Sequence, residues 1–255
     1  MKDLSQSQPI TWPFVAWLCV GLTGIVAPLA AAIYFATTPD TPPWALVGGP
    51  VLAVALMGAG IIGAAAARRF GIGVLLALSG AGTVIALASV LGSQTLIDPL
   101  ALSIAVLIAS ISFAARGALF ARSLEARGWW MALAVVAGEG AIVVTALADP
   151  AALPRWLLVL LPAQWATIAV QNALAGAGMF AASSALVALA GTAAATMLVA
   201  KLWPRRWTYL IMFTVWIGLS ALVYHNPAPP LPELEQNVPS NVTMKSERLA
   251  FACFA

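Results

Sequence analysis

An all-α bundle of membrane-spanning helices is the fold this sequence predicts, and three observations predict it. Of 255 residues, 62% are hydrophobic and only 8% charged, where a soluble domain carries about 25% charged residues. The mean hydropathy is +0.97, and apolar runs repeatedly exceed the roughly 18 residues that mark a spanning helix. Trp12, Trp17, Trp44, Trp129, Trp130, Trp203 and Trp207 fall at or near the ends of those runs. Tryptophan favours that boundary because its ring is apolar while its N–H wants a polar partner. Counting domains by length does not apply to such a chain, since a bundle of spans is one unit.

The first span covers 14–36 and follows MKDLSQSQPITWP, which holds a single lysine. Its apolar core is longer than that of a cleaved signal peptide, so it is expected to remain as a helix. Further spans cover 44–67, 70–92, 99–119, 129–148 and 207–224. Pro28 and Pro50 can kink or start the first two, and Val47-Gly48-Gly49-Pro50 is the best candidate for a local break. The apolar block 151–200 is too long for one crossing, because a span needs about 20 residues at 1.5 Å each.

Charge placement divides that block. Arg68 and Arg69 follow the second span, and Arg116, Arg122 and Arg127 follow the fourth. The loops after the first, third and fifth spans hold Asp40, Asp98 and Asp149, with Arg155 their one cation. Positively charged loops stay in the cytoplasm, which puts the N-terminus and the arginine loops there. Lys201, Arg205 and Arg206 then belong on the same side, so the block crosses once, at 179–200. Segment 151–176, with its prolines, tryptophans and amides, becomes interfacial or re-entrant. The expectation is seven spans in a cell membrane, of the bacterial inner-membrane kind, with the C-terminus periplasmic or extracellular. Eight spans, with 151–176 an extra crossing, is the alternative, and it strands those three cations on the outer face. Five prolines between 227 and 239 forbid regular helix in the tail 225–255 and favour extended or flexible chain.

Glu139 raises the chemical question. It lies in VVAGEGAIVV, at the middle of the fifth span, where insertion scales put roughly 2.5–3.5 kcal/mol against a charged residue. Such an acid must face the bundle interior, either in a transport path or as a hydrogen-bonding link between helices. Gly138 and Gly140 on either side would let another backbone approach it closely. Arg116 is the one cation of an adjacent span that could pair with it; otherwise Arg116 is a solvated charge that sets topology. Gln171 and Asn172 are adjacent amides in apolar surroundings, suited to solute coordination or to interhelical hydrogen bonds. Small-residue runs such as GAGIIGAAAA and LSGAGT allow helices to pack at close range.

The composition also excludes function classes. The net charge of +3 is scattered over span ends, so no basic face exists for nucleic acid. Cys19 and Cys253 are too far apart in the chain to form a metal-type pair, and the single histidine, His225, reads as a boundary residue. There is no Ser-His-Asp set, no HExxH, no phosphate-binding glycine loop and no lysine at a span centre. No cofactor, metal site or enzymatic activity is therefore expected. The partners expected are lipids and, in one reading, other membrane subunits or further copies of the chain. Two functions fit: a small permease or channel-like component with Glu139 in its path, or a non-catalytic subunit of a larger membrane complex. They part on whether Glu139, Gln171 and Asn172 converge on one cavity.

Overall fold

A computed structural model describes residues 12–38, 42–92, 98–149, 151–202 and 207–229. The expectations that concern Asp40, Trp203, Arg205, Arg206, Cys253 and the chain beyond 229 lie outside the described residues. The described chain forms helices α1 (Phe14–Thr37), α2 (Trp44–Ala67), α3 (Phe70–Val90), α4 (Pro99–Leu124) and α5 (Gly128–Ala148). These are followed by α6 (Arg155–Val159), α7 (Pro162–Leu174), α8 (Ser183–Leu202) and α9 (Trp207–His225). Six of them, α1 to α5 and α8, are long and apolar enough to cross a membrane, and no described residue lies in a β-strand. The protein is an all-α, polytopic membrane helix bundle.

Helix α2 is the axis of the bundle. Its most apolar stretch is 83% buried, against 17% for α5 and 22% for α1, so the other helices are arranged around it. Glycine and alanine make that close packing possible. A Cβ on Gly24 of α1 would lie 2.7 Å from the Cβ of Ala59, and one on Gly117 of α4 would lie 2.9 Å from the Cβ of Ala64.

Two prolines shape these helices without breaking them. Pro28 cannot donate to the Gly24 carbonyl, and its ring crowds that oxygen. The helix responds by widening to a π-turn over Leu22–Val26, in which the Ala27 N–H bonds back to the Leu22 carbonyl. The local break expected at Val47-Gly48-Gly49-Pro50 does not occur: α2 runs straight through Pro50. What Pro50 does is leave the Leu46 carbonyl without its helical donor.

Short links fix the direction of each helix. Arg68, in the left-handed region at φ 55°, and Arg69 turn α2 into α3. A single turn over Glu125–Arg127 joins α4 to α5. Arg68, Arg69, Arg122, Arg127 and Lys201 consequently cluster at one end of the bundle, hereafter the arginine end, while Trp44, Asp98, Asp149 and His225 mark the other. Helix α4 continues to Leu124 rather than stopping near 119, which places Arg116 two turns inside it. Helix α8 starts at Ser183 rather than 179, because Gly176 and Gly178 adopt φ values of 69° and 81° in the turn that precedes it.

The segment 151–176 forms a helical hairpin that enters from the Trp44 end, turns at Leu160–Leu161–Pro162, and leaves by the same end. Pro162 pushes Leu161 into extended backbone, at φ −96° and ψ 117°, and then starts α7 at a position where its missing N–H costs nothing. Helix α7 is buried along most of its length, with α2 as its most extensive neighbour. Trp165, fully buried, ties the two arms together by donating its Nε1–H to the Val159 carbonyl at 2.7 Å.

Candidate functional site

The hairpin tip lies deep in the bundle, and its backbone polar groups need partners there. A helix begins with unpaired N–H groups, and each of those in α7 can be traced. Pro162 has none, and Gln164 and Trp165 donate to the Leu161 carbonyl. Ala163 donates to Glu139 Oε2 at 3.1 Å. On the other arm, the Leu160 carbonyl accepts the Nε1–H of Trp216, from the middle of α9, at 3.1 Å. A carboxylate from the middle of α5 therefore caps the positive end of a half-helix, and this explains how the bundle accommodates an acid at that depth.

Arg116 reaches the same carboxylate from α4. Its Nη1 donates to Glu139 Oε1 at 3.3 Å, and each of the two side chains is only 13% exposed. The guanidinium carbon also sits 5.2 Å from the ring centre of Phe113, within range of a cation–π contact. The second nitrogen, Nη2, is buried and has no hydrogen-bond partner among the described residues. Arg116 is thus a buried ion-pair partner and not a solvated charge at a span end.

The pair lines a half-open pocket of about 290 Å³ between α4, α5, the hairpin tip, α8 and α9. Its walls are apolar apart from the ion pair and two hydroxyls, Thr192 and Thr196 of α8. A second cavity, a shallow and mostly open groove of about 270 Å³, lies further along α6 and α9 between Trp156, Val159, Ser220, Tyr224 and His225. Leu160 lines both, so the Leu160–Trp216 contact stands between them.

The two amides are elsewhere. Gln171 donates from its Nε2 to the Leu46 carbonyl at 2.5 Å, near the Trp44 end. Asn172 donates to the Ile168 carbonyl of its own helix at 2.8 Å, while its Oδ1 is buried and unpartnered. Neither lines the Glu139 cavity. The close backbone approach is displaced as well. A Cβ on Gly138 would meet nothing within 4 Å, and one on Gly140 only the Met57 methyl at 3.8 Å. The tight contact is at Gly49, where a Cβ would fall on the Gln171 side chain and 2.8 Å from the Thr167 carbonyl.

Sequence reasoning singled out Glu139 and Arg116 but not Ala163, Thr192, Thr196 or the two leucines of the tip. One signal was present for the tip: Pro154 and Pro162 bracket RWLLVLL, and a proline is a preferred first residue of a helix. Among the described residues no three His, Cys, Asp or Glu side chains come together as a metal-binding group. No family model, curated protein or solved structure matches the chain.

Proposed function

We propose that the protein is a small membrane transport protein whose path runs along the α6–α9 seam and past the Arg116–Glu139 pair. One observation carries the reading: two cavities meet at the tip of a broken helical hairpin, and one of them holds a buried ion pair with an unused guanidinium N–H. Non-helical backbone at membrane depth is tolerated where it is buried in protein or lines a cavity. Half-helices ending near the bilayer midplane are a recurring way to build a transport site. In this reading the hairpin is re-entrant, seven helices cross, and the arginine end faces the cytoplasm, because positive charge is retained there.

The rival reading, a structural subunit of a larger membrane complex, is the one favoured by the failure of Gln171 and Asn172 to join Glu139 in one cavity. Both amides bond backbone carbonyls away from the cavity, as they would if they served packing alone. Accessibility separates the two readings. With Cys19 and Cys253 replaced by serine, Thr196→Cys probes the ion-pair cavity and Ser220→Cys the other. In sealed vesicles, a hydrophilic thiol reagent should label the two variants from opposite faces. If neither reacts from either face, both cavities are closed to water and the transport reading falls.

A further inference from the structure

We infer that the ion-pair cavity takes a small monoanion with an apolar body, a carboxylate or sulfonate, and takes it together with one proton carried by Glu139. This inference rests on the transport reading and names its substrate class. The cavity of about 290 Å³ sits at the low end of ligand pockets, which run from roughly 300 to 1,000 Å³. Its walls include Phe120, Phe213 and Trp216, and such surfaces reward a ring or short hydrocarbon over a hydrated polar solute. Among the described residues, the one fully buried polar atom of its charged side chains without a hydrogen-bond partner is a donor, Arg116 Nη2. An arginine never acts as an acceptor, and its planar fork fits the two oxygens of a carboxylate or sulfonate. Each Glu139 oxygen already accepts a hydrogen bond, from Arg116 or from Ala163, whereas this guanidinium nitrogen is engaged by no acceptor.

Charge then fixes the stoichiometry. As it stands the site is neutral, one guanidinium against one carboxylate. Adding an anion would leave one net negative charge uncompensated among apolar walls, which strongly disfavours binding. Neutrality returns if Glu139 accepts a proton as the anion arrives. The protonated carboxyl still accepts the Ala163 N–H through Oε2, so the cap on α7 survives. Meanwhile Arg116 is released from Oε1 and can turn both η-nitrogens to the guest. No other group can supply this proton exchange locally. Among the described residues, Arg116 is the one other ionisable side chain lining the cavity. The hairpin contributes Leu160, Leu161 and Pro162, α8 contributes hydroxyls, and α9 contributes Met212 and two aromatic rings. His225 belongs to the second cavity.

Benzenesulfonate is a suitable probe, because it stays ionised throughout the working pH range and does not cross lipid as a neutral acid. Its binding to the protein in lipid nanodiscs is measured calorimetrically in buffers of different ionisation enthalpy. Binding of the anion should be accompanied by proton uptake. Glu139→Gln, which keeps the cap and leaves residue 139 permanently uncharged, should bind the anion without proton uptake and with no pH dependence. Arg116→Gln should lose binding. In proteoliposomes, benzenesulfonate entry should follow an imposed pH gradient and ignore an imposed membrane potential. Absence of binding in the wild-type protein, binding without proton uptake, or entry driven by potential would each overturn the inference. If the two cysteine variants still label from opposite faces in that event, the transport reading stands and only the substrate class is wrong.

Discussion

Gln171 supplies, from another helix, the hydrogen bond that Pro50 cannot. In an unbroken α2 the Leu46 carbonyl would accept the N–H four residues later, but a proline stands there. The Gln171 amide on α7 takes its place at 2.5 Å, and Gly49 leaves room for the incoming side chain. Removing the amide strands a carbonyl inside the bundle, at a cost of about 1–3 kcal/mol. Gln171→Leu should therefore lower stability by that amount in reversible detergent unfolding. The same change in a Pro50→Ala background should cost far less, because residue 50 now donates to Leu46. Additive losses in the double variant would show that the two residues are not solving one problem.

Glycine substitutions should separate two sites that look alike in the sequence. Gly138→Ala puts a methyl where nothing lies within 4 Å and should be neutral or gain up to about 1 kcal/mol from helix propensity. Gly49→Ala drives the same methyl onto Gln171 and towards the Thr167 carbonyl. Overpacking of that kind costs about 1–3 kcal/mol, and α2 and α7 would have to move apart. Apparent melting temperatures of the two variants in detergent should shift in opposite directions or, for Gly138→Ala, not at all.

The contrast between those glycines shows what the sequence could and could not reveal. Hydropathy marked the long helices to within a few residues, because partition into lipid depends on local composition. Glu139 stood out for the same reason, as an isolated acid in an apolar run. Which glycine meets which partner is set by how the helices are rotated against each other, and no local signal encodes rotation. Gly138 and Gly140 flank the acid but face away from close neighbours. Trp44 and Trp129, placed at span ends by sequence, turn out to be buried against other helices. Arg116 was ambiguous because its helix extends beyond the apolar run, to Leu124. The additional turns carry the arginine inward to Glu139.

The two members of the ion pair should not be equally dispensable. Glu139 caps α7 and also neutralises Arg116. Glu139→Ala leaves both an unpaired N–H and a guanidinium that cannot shed its charge, and breaking a buried pair in this way costs about 3–5 kcal/mol. Arg116→Gln leaves a carboxyl that can still receive the Ala163 N–H and can be neutralised by a proton. Equilibrium unfolding should place Glu139→Ala as the more damaging change, with Glu139→Gln between the two because its amide oxygen preserves the cap. Equal losses for Glu139→Ala and Arg116→Gln would mean that the cap contributes nothing.

Trp216 should act as the partition between the two cavities. Its indole N–H holds the Leu160 carbonyl at 3.1 Å, and its ring forms part of the wall of the ion-pair cavity. Trp216→Phe removes the bond and keeps much of the ring, whereas Trp216→Ala removes both and joins the two spaces. In sealed vesicles carrying Thr196→Cys, the thiol should react from one face only when Trp216 is present. With Trp216→Ala the same thiol should become reactive from both faces, because water then passes the hairpin tip. Trp216→Phe should fall between them, since the tip is untied but still largely obstructed. A Thr196→Cys thiol that stays one-sided in the alanine variant would place the barrier elsewhere along α9 and remove Leu160–Trp216 from the path.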